Sequence, residues 1–168
     1  MAKQNLPSTP ALLALRAAGV AFVPHLYPYV EKGGTHHSAA ALGVDEHQVI
    51  KTIVLETGDD KPLICLMHGD RQISTKQLAR TLGEKTVQPC DPDTAHRHTG
   101  YLVGGTSPFG MRKPLPVYVE RTVLDLPVIY INGGARGLLV EVAPRVLTDL
   151  LGAVPVDVAK VPDASPGR

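Results

Sequence analysis

Thr99-Gly100-Tyr101-Leu102-Val103-Gly104-Gly105-Thr106-Ser107-Pro108-Phe109-Gly110 decides how the rest of the chain reads. An apolar run, Tyr101–Val103, is expected as a strand and breaks into two adjacent glycines, two hydroxyls and a proline. Glycine permits positive φ and a close approach of main chain to a ligand. Proline fixes the exit of the loop. A rigid loop of this kind can offer backbone N–H and C=O groups to a substrate without any catalytic side chain. The same residues also read as a plain turn between strands.

Outward from this loop the chain alternates short expected elements. Upstream, Thr9 can cap a helix that Pro10 opens and Gly19 closes, with Leu12, Leu13 and Leu15 as its apolar face. Val20–Tyr29 reads as extended, and prolines at 24 and 28 suit a sheet edge. Glu31–Thr35 is a loop, Ser38–Gly43 a short helix, and Asp45 can cap a further turn through Val49. Thr52–Glu56 and Leu63–Met67 flank Thr57-Gly58-Asp59-Asp60-Lys61 as a hairpin. Ser74 begins a helix through Leu82 with Gly83 as its stop, and Asp91-Pro92-Asp93 starts another through Arg97.

Downstream of the glycine loop, Pro116–Glu120 and Val128–Ile131 read as strands. Asn132-Gly133-Gly134-Ala135-Arg136-Gly137 is a second glycine turn, and Leu138–Val142 pairs back across it. Pro144 opens a last helix ending near Gly152, followed by a strand Val154–Val158, and Val161–Arg168 reads as a frayed tail. Short hairpin strands mixed with short helices, without strict βαβ alternation, indicate one α/β or α+β domain over residues 1–160 with a mixed sheet.

The chain has 168 residues, 43% of them hydrophobic and 20% charged, which suits one globular domain with a real core. A formal charge of +1 argues against a partner held through many phosphates and leaves room for few, local RNA contacts. The N-terminus lacks the basic, apolar and small-residue pattern of a signal peptide. No apolar run reaches membrane-spanning length. The expectation is therefore a soluble, cytoplasmic protein with no membrane partner. Cys65, inside Leu63–Met67, reads as a core residue, and Cys90, in Pro89-Cys90-Asp91-Pro92, as an exposed one. Both should be reduced in that compartment, and neither has a nucleophile motif.

Lys51 stands beside an apolar run, Val49-Ile50-Lys51-Thr52-Ile53-Val54, where a lone cation can bind phosphate or carboxylate, or snorkel to the surface. His36-His37 and His96-Arg97-His98 lack the spacing and acidic partners of a metal site, so no metal is expected. Ser107 lacks the flanking glycines of a nucleophile elbow and precedes Pro108, so a hydrogen bond to substrate suits it better than nucleophilic attack.

In this order and spacing, the pieces resemble the YbaK family of aminoacyl-tRNA deacylases, related to the editing domain of bacterial prolyl-tRNA synthetases. They are Thr9-Pro10 with Ala18-Gly19, Ala40–Val44, Val49-Ile50-Lys51-Thr52, Asp70-Arg71, Leu78–Gly83, Thr99–Pro108, and Asn132-Gly133-Gly134 with Gly137-Leu138. The resemblance implies a compact, barrel-like mixed sheet flanked by helices. It implies hydrolysis of the ester at the 3′ end of aminoacyl-tRNA, without cofactor, metal or obligatory protein nucleophile, and prolyl-tRNA synthetase as a candidate partner. It assigns catalysis to Lys51 and to the backbone of Gly104 and Gly105. It assigns substrate binding to Tyr27, Thr52, Thr106, Ser107, Pro108, Asn132, Gly133 and Gly134.

Two departures bear on specificity. Leu139 stands where many relatives carry an acidic residue, and Gly34-Thr35-His36-His37 lacks their aromatic residue. Cysteine, alanine, serine and threonine all remain open as the amino acid removed. A non-catalytic module that docks a synthetase or a nucleotide is the alternative reading.

Overall fold

A computed structural model describes residues 6–160. Among these residues eight strands build one mixed sheet in the order β1-β7-β6-β2-β3-β5-β8, with β4 also paired to β2. The strands are β1 (Val23–Leu26), β2 (Val49–Thr57), β3 (Pro62–His68), β4 (Val87–Pro89), β5 (Val117–Glu120), β6 (Ile129–Asn132), β7 (Leu138–Val142) and β8 (Val154–Val156). Five short helices flank them: α1 (Pro10–Ala17), α2 (Gly34–Leu42), α3 (Thr75–Leu82), α4 (Pro92–Thr99) and α5 (Arg145–Leu151). This is the expected mixed sheet with short helices, and its ladder ends at β1 and β8. Among the described residues no helix is long and apolar enough to cross a membrane.

The hairpin β2–β3 is antiparallel from Ile50↔His68 to Glu56↔Pro62. The other edge of β2 is shared. β6 lies parallel to it only at Val49 and Ile50, and β4 antiparallel only from Leu55 to Thr57. Between these two contacts the sheet is split.

Alternation along the strands sends side chains to two cores. Leu12 and Leu15 of α1, Phe109, Ile129, Ile131, Leu138 and Val140 are all fully buried in the larger one. Leu55, Leu63, Cys65 and Met67 pack with Leu78 of α3 and Val156 of β8 in the other. Cys65 is the core residue expected, and burial pushes its thiol up to about 12.

Local signals placed most helix starts. Thr9, Ser74 and Asp91 each accept a backbone N–H as caps of α1, α3 and α4. Five points need correction. Tyr101–Val103 is not a strand: Tyr101 is buried and donates its hydroxyl to Phe109 O, while Leu102 and Val103 face solvent. The residues Gly34-Thr35-His36-His37 form the first turn of α2 instead of a loop. The last strand stops at Val156, and β4 was not expected at all. Cys90 is half-buried, packs against the larger core, and its thiol is pushed up to about 11 by burial, with Glu56 and Asp91 nearby. The tail expected over residues 161–168 lies outside the described residues.

Candidate active site

A cavity of about 740 Å³ opens at the split in the sheet. Its floor is β2 from Val49 to Val54. The first turn of α2 and the segment Tyr27–Lys32 form one wall, and Val103, Gly104, Thr106, Asn132 and Arg136 the other. Pro89 and Cys90, at the end of β4, line it as well. The site therefore draws on five stretches of chain that are separated in sequence.

Lys51 brings the ammonium. Its Nζ donates to the main-chain oxygen of Arg71, in the turn after β3. Burial lowers its pKa from the ordinary lysine value, and Glu46 and Asp70 act against that fall. Neighbouring bonds pin the turn. Gly69 N donates to Val49 O at 2.6 Å, Arg71 N to His68 O at 3.1 Å, and Thr35 Oγ1 lies 3.1 Å from Gly69 O and 2.8 Å from Glu46 Oε2. The Asp70 carboxyl sits below the usual carboxylate range. Burial works against that direction, and the hydrogen bond and charge of His47, with the charge of Arg71, outweigh it.

The glycine loop forms a wall by packing on the second glycine turn. Gly104 has φ of +90°, a conformation that favours glycine, and a Cβ there would lie 2.6 Å from Tyr29 Oη. Asn132 Nδ2 donates to Gly104 O at 3.1 Å, and Arg136 Nε to Val103 O at 2.9 Å. The Arg136 guanidinium also lies 5.3 Å from the Tyr29 ring centre, so it ties this loop to the opposite wall.

Of the residues singled out from sequence, Tyr27, Lys51, Thr52, Gly104, Thr106 and Asn132 meet at the cavity. Burial raises the Tyr27 phenol, which keeps it a neutral hydrogen-bonding group. Gly105, Ser107, Pro108, Gly133 and Gly134 do not line it. Gly105 is buried against the backbone of Ala135 and Arg136, and its N–H donates to Leu102 O at 2.8 Å. Ser107 is fully buried, and its Oγ accepts from Phe109 N at 3.1 Å. Pro108 is buried beside it. Gly133 O accepts from Thr9 Oγ1 at 2.6 Å, and Gly134 N donates to Asn132 Oδ1 at 2.6 Å. These five shape the wall from behind.

Sequence reasoning missed Thr35 and His37, which belong to a first turn of α2 that it reads as loop, and Ser38, which carries no motif. It also missed Tyr29, Cys90 and Arg136, which carry no motif. One histidine cluster went unnoticed: ligand atoms of His47, His68 and Asp70 lie within 4.8 Å of one another. The His47 and His68 rings stack at 3.7 Å, and His47 Nδ1 lies 2.8 Å from Asp70 Oδ1. His68 Nδ1 lies 2.8 Å from His47 O, and His68 Nε2 2.7 Å from Thr122 Oγ1. Protein partners thus engage both His68 nitrogens. His36, His37, His96 and His98 stand outside this group.

The aminoacyl-tRNA editing domain model matches residues 34–150. EbsC of Enterococcus faecalis, described as a candidate Cys-tRNA(Pro)/Cys-tRNA(Cys) deacylase, is 30% identical over 112 residues, covering 67% of this chain and 68% of that one. Proline–tRNA ligase of Streptococcus equi subsp. zooepidemicus is 32% identical over 88 residues, 52% of this chain but 14% of the ligase. Among solved structures, a candidate trans-editing enzyme for prolyl-tRNA synthetase superposes with a TM-score of 0.80 at 24% identity, covering 93% of this chain and all of that one. The hypothetical protein APE2540 superposes with a TM-score of 0.82, also at 24% identity, over 90% of this chain and 99% of the other. Lys51 and its neighbours, the two glycine turns and the strands β2, β4 and β6 that bound the split all fall within the matched span, and the chain belongs to the aminoacyl-tRNA editing domain family.

Proposed function

We propose that this protein hydrolyses the ester joining a small amino acid to the 3′-terminal adenosine of a mischarged tRNA. The main support is Lys51, a cation tethered at the floor of a cavity large enough for more than an amino acid alone. An aminoacyl ester is already reactive, so orientation and charge stabilisation can supply most of the catalysis. Water adds to the carbonyl carbon, the bond to the ribose oxygen breaks, and the products are the free amino acid and a tRNA 3′-hydroxyl. Lys51 holds the terminal phosphate or sugar end, and Gly104, Thr106 and Asn132 close the opposite wall. Tyr29 and Arg136, at the mouth, suit a stacked terminal base. Leu139 and Val49 line the cavity with apolar surface, which suits a small uncharged side chain. The kinship with prolyl-tRNA synthetases makes tRNA(Pro) the first tRNA to test and the synthetase a candidate partner.

Deacylation of a panel of cysteinyl-, alanyl-, seryl-, threonyl- and prolyl-tRNAs tests the reading. At least one should be hydrolysed, and Lys51→Ala should remove most of that activity while the fold is kept. No hydrolysis of any member, or a Lys51→Ala protein of wild-type rate at subsaturating tRNA, would overturn it.

A further inference from the structure

Beside the cavity, β2 has lost one of its two neighbours, and bonds near its ends fix the direction of the main-chain groups between. On the β3 side, Val49 O accepts from Gly69 N at 2.6 Å and Thr57 N donates to Lys61 O at 3.0 Å. On the other side, Val54 O accepts from Cys90 N at 3.0 Å and Gly58 N donates to Thr86 O at 3.1 Å. In an antiparallel pair, opposed residues exchange both bonds or neither, in alternation. Lys51, Ile53 and Leu55 therefore turn N–H and C=O toward β3, and Ile50, Thr52 and Val54 turn theirs away. Ile50 there meets β6, opposite Ile131, and Val54 meets Cys90. Thr52 lies between them, and among the described residues no strand reaches it on that side. Its Oγ1 is buried and has no hydrogen-bond partner among the described residues. Buried polar groups are nearly always paired, so the partnerless Oγ1, on a residue at the cavity floor whose main-chain groups meet neither β6 nor β4, marks a place where a ligand supplies the partners.

An aminoacyl ester carries an α-ammonium and a carbonyl on adjacent carbons, the same donor and acceptor that a strand residue presents. We propose that the aminoacyl group docks as the missing residue of the ladder beside Thr52. Its ammonium donates to Thr52 C=O, and its ester carbonyl accepts from Thr52 N–H. This rests on the deacylase reading above and adds how the amino acid is held. It is strand addition reduced to one residue. The two bonds are identical for every amino acid, so selection among side chains falls to the cavity walls. The N–H bond also strengthens as negative charge gathers on the carbonyl oxygen, which places Thr52 N–H among the groups that stabilise the transition state.

Amide exchange followed by NMR on the ¹⁵N-labelled protein tests this, with 3′-alanylamino-3′-deoxyadenosine as a non-hydrolysable probe. In the free protein the Thr52 amide should exchange faster than those of Lys51 and Ile53, which lie in the β3 ladder. Saturation with the probe should protect it and shift it downfield. Replacing Thr52 by its α-hydroxy acid, which removes that N–H and otherwise only weakens the Lys51 carbonyl as an acceptor, should lower kcat/KM about ten-fold. The same replacement at Leu55 should instead lower the melting temperature, because its N–H belongs to the ladder. A Thr52 amide that is protected in the free protein, or unmoved by the probe in a protein that deacylates tRNA, overturns this inference alone. Failure both to bind the probe and to hydrolyse any aminoacyl-tRNA overturns the deacylase reading and this one with it.

Discussion

A methyl group on Gly105 would sit 2.9 Å from Arg136 N and 3.0 Å from the Ala135 carbonyl carbon, both main-chain atoms that cannot step aside cheaply. Gly105→Ala should therefore push the two glycine turns apart and destabilise the protein by about 1–3 kcal/mol. Thermal melts should fall by roughly 2–4 °C per kcal/mol in a chain of this size, and the lost activity should follow the displaced wall. Ser107→Ala should behave differently. It leaves Phe109 N–H buried without its acceptor, a loss of about 1–3 kcal/mol, while turnover of the folded fraction stays at the wild-type level because the hydroxyl lies outside the cavity. A folded but inactive Ser107→Ala enzyme would restore the case for covalent catalysis. The two residues show what a motif does and does not carry. Lys51 stood out because a cation beside an apolar run is rare. The glycine loop stood out as a unit, but its sequence does not say which side faces a ligand, so Gly105 and Ser107 were read as contacts when they are the backing.

Thr9 shows how one element depends on another. Its hydroxyl accepts from Leu12 N at the start of α1 and donates to Gly133 O in the second glycine turn. Thr9→Val should lose the cap, about 0.5–2 kcal/mol, and free that turn as well. The expected result is a lower melting temperature together with a raised KM, measured on whichever aminoacyl-tRNA the wild type accepts. A loss of stability with KM unchanged would show that the turn holds its place without α1. Caps and glycine stops made α1, α3 and α4 legible in advance, because a side-chain oxygen meeting an orphan N–H is local chemistry. The start of α2 was not legible, since Gly33 and Gly34 are poor helix formers and the helix is held at its first turn by contacts from Thr35 to Glu46 and Gly69. β4 has three residues, ends in Pro89 and exists because β2 lies beside it.

For the molecule as a whole, His68 sets a pH limit. Burial is the largest influence on it and lowers its pKa below the ordinary histidine value, against the opposing pull of its hydrogen bond to the His47 main chain and of the Asp70 and Glu120 charges. The folded protein thus keeps His68 neutral at a pH where the unfolded chain takes up a proton. Stability should rise with pH through the ordinary histidine range, near 6.5, and fall as the solution is acidified below it. Calorimetric melts between about pH 5 and 8 should show that slope, and His68→Gln should flatten it; an equal slope in the variant would assign the effect elsewhere. The fold class was legible at this scale because hairpin and turn signals sum over the whole chain. The split in the sheet was not, because it depends on where β6 and β4 leave β2, and such registers have no signature in either strand alone.

That split also governs when the protein becomes active. The hairpin carrying Lys51 joins neighbours in sequence, whereas Val49 meets Tyr130 and the opposite wall comes from residues beyond 100. Contacts between near neighbours form early in folding, and those that close long loops form late. A chain still emerging from the ribosome, with the residues beyond 100 not yet made, has no chamber around its lysine. Ester hydrolysis is then withheld until nearly the whole domain has been made and assembled, so half-built copies are harmless to the charged tRNAs that surround them during synthesis.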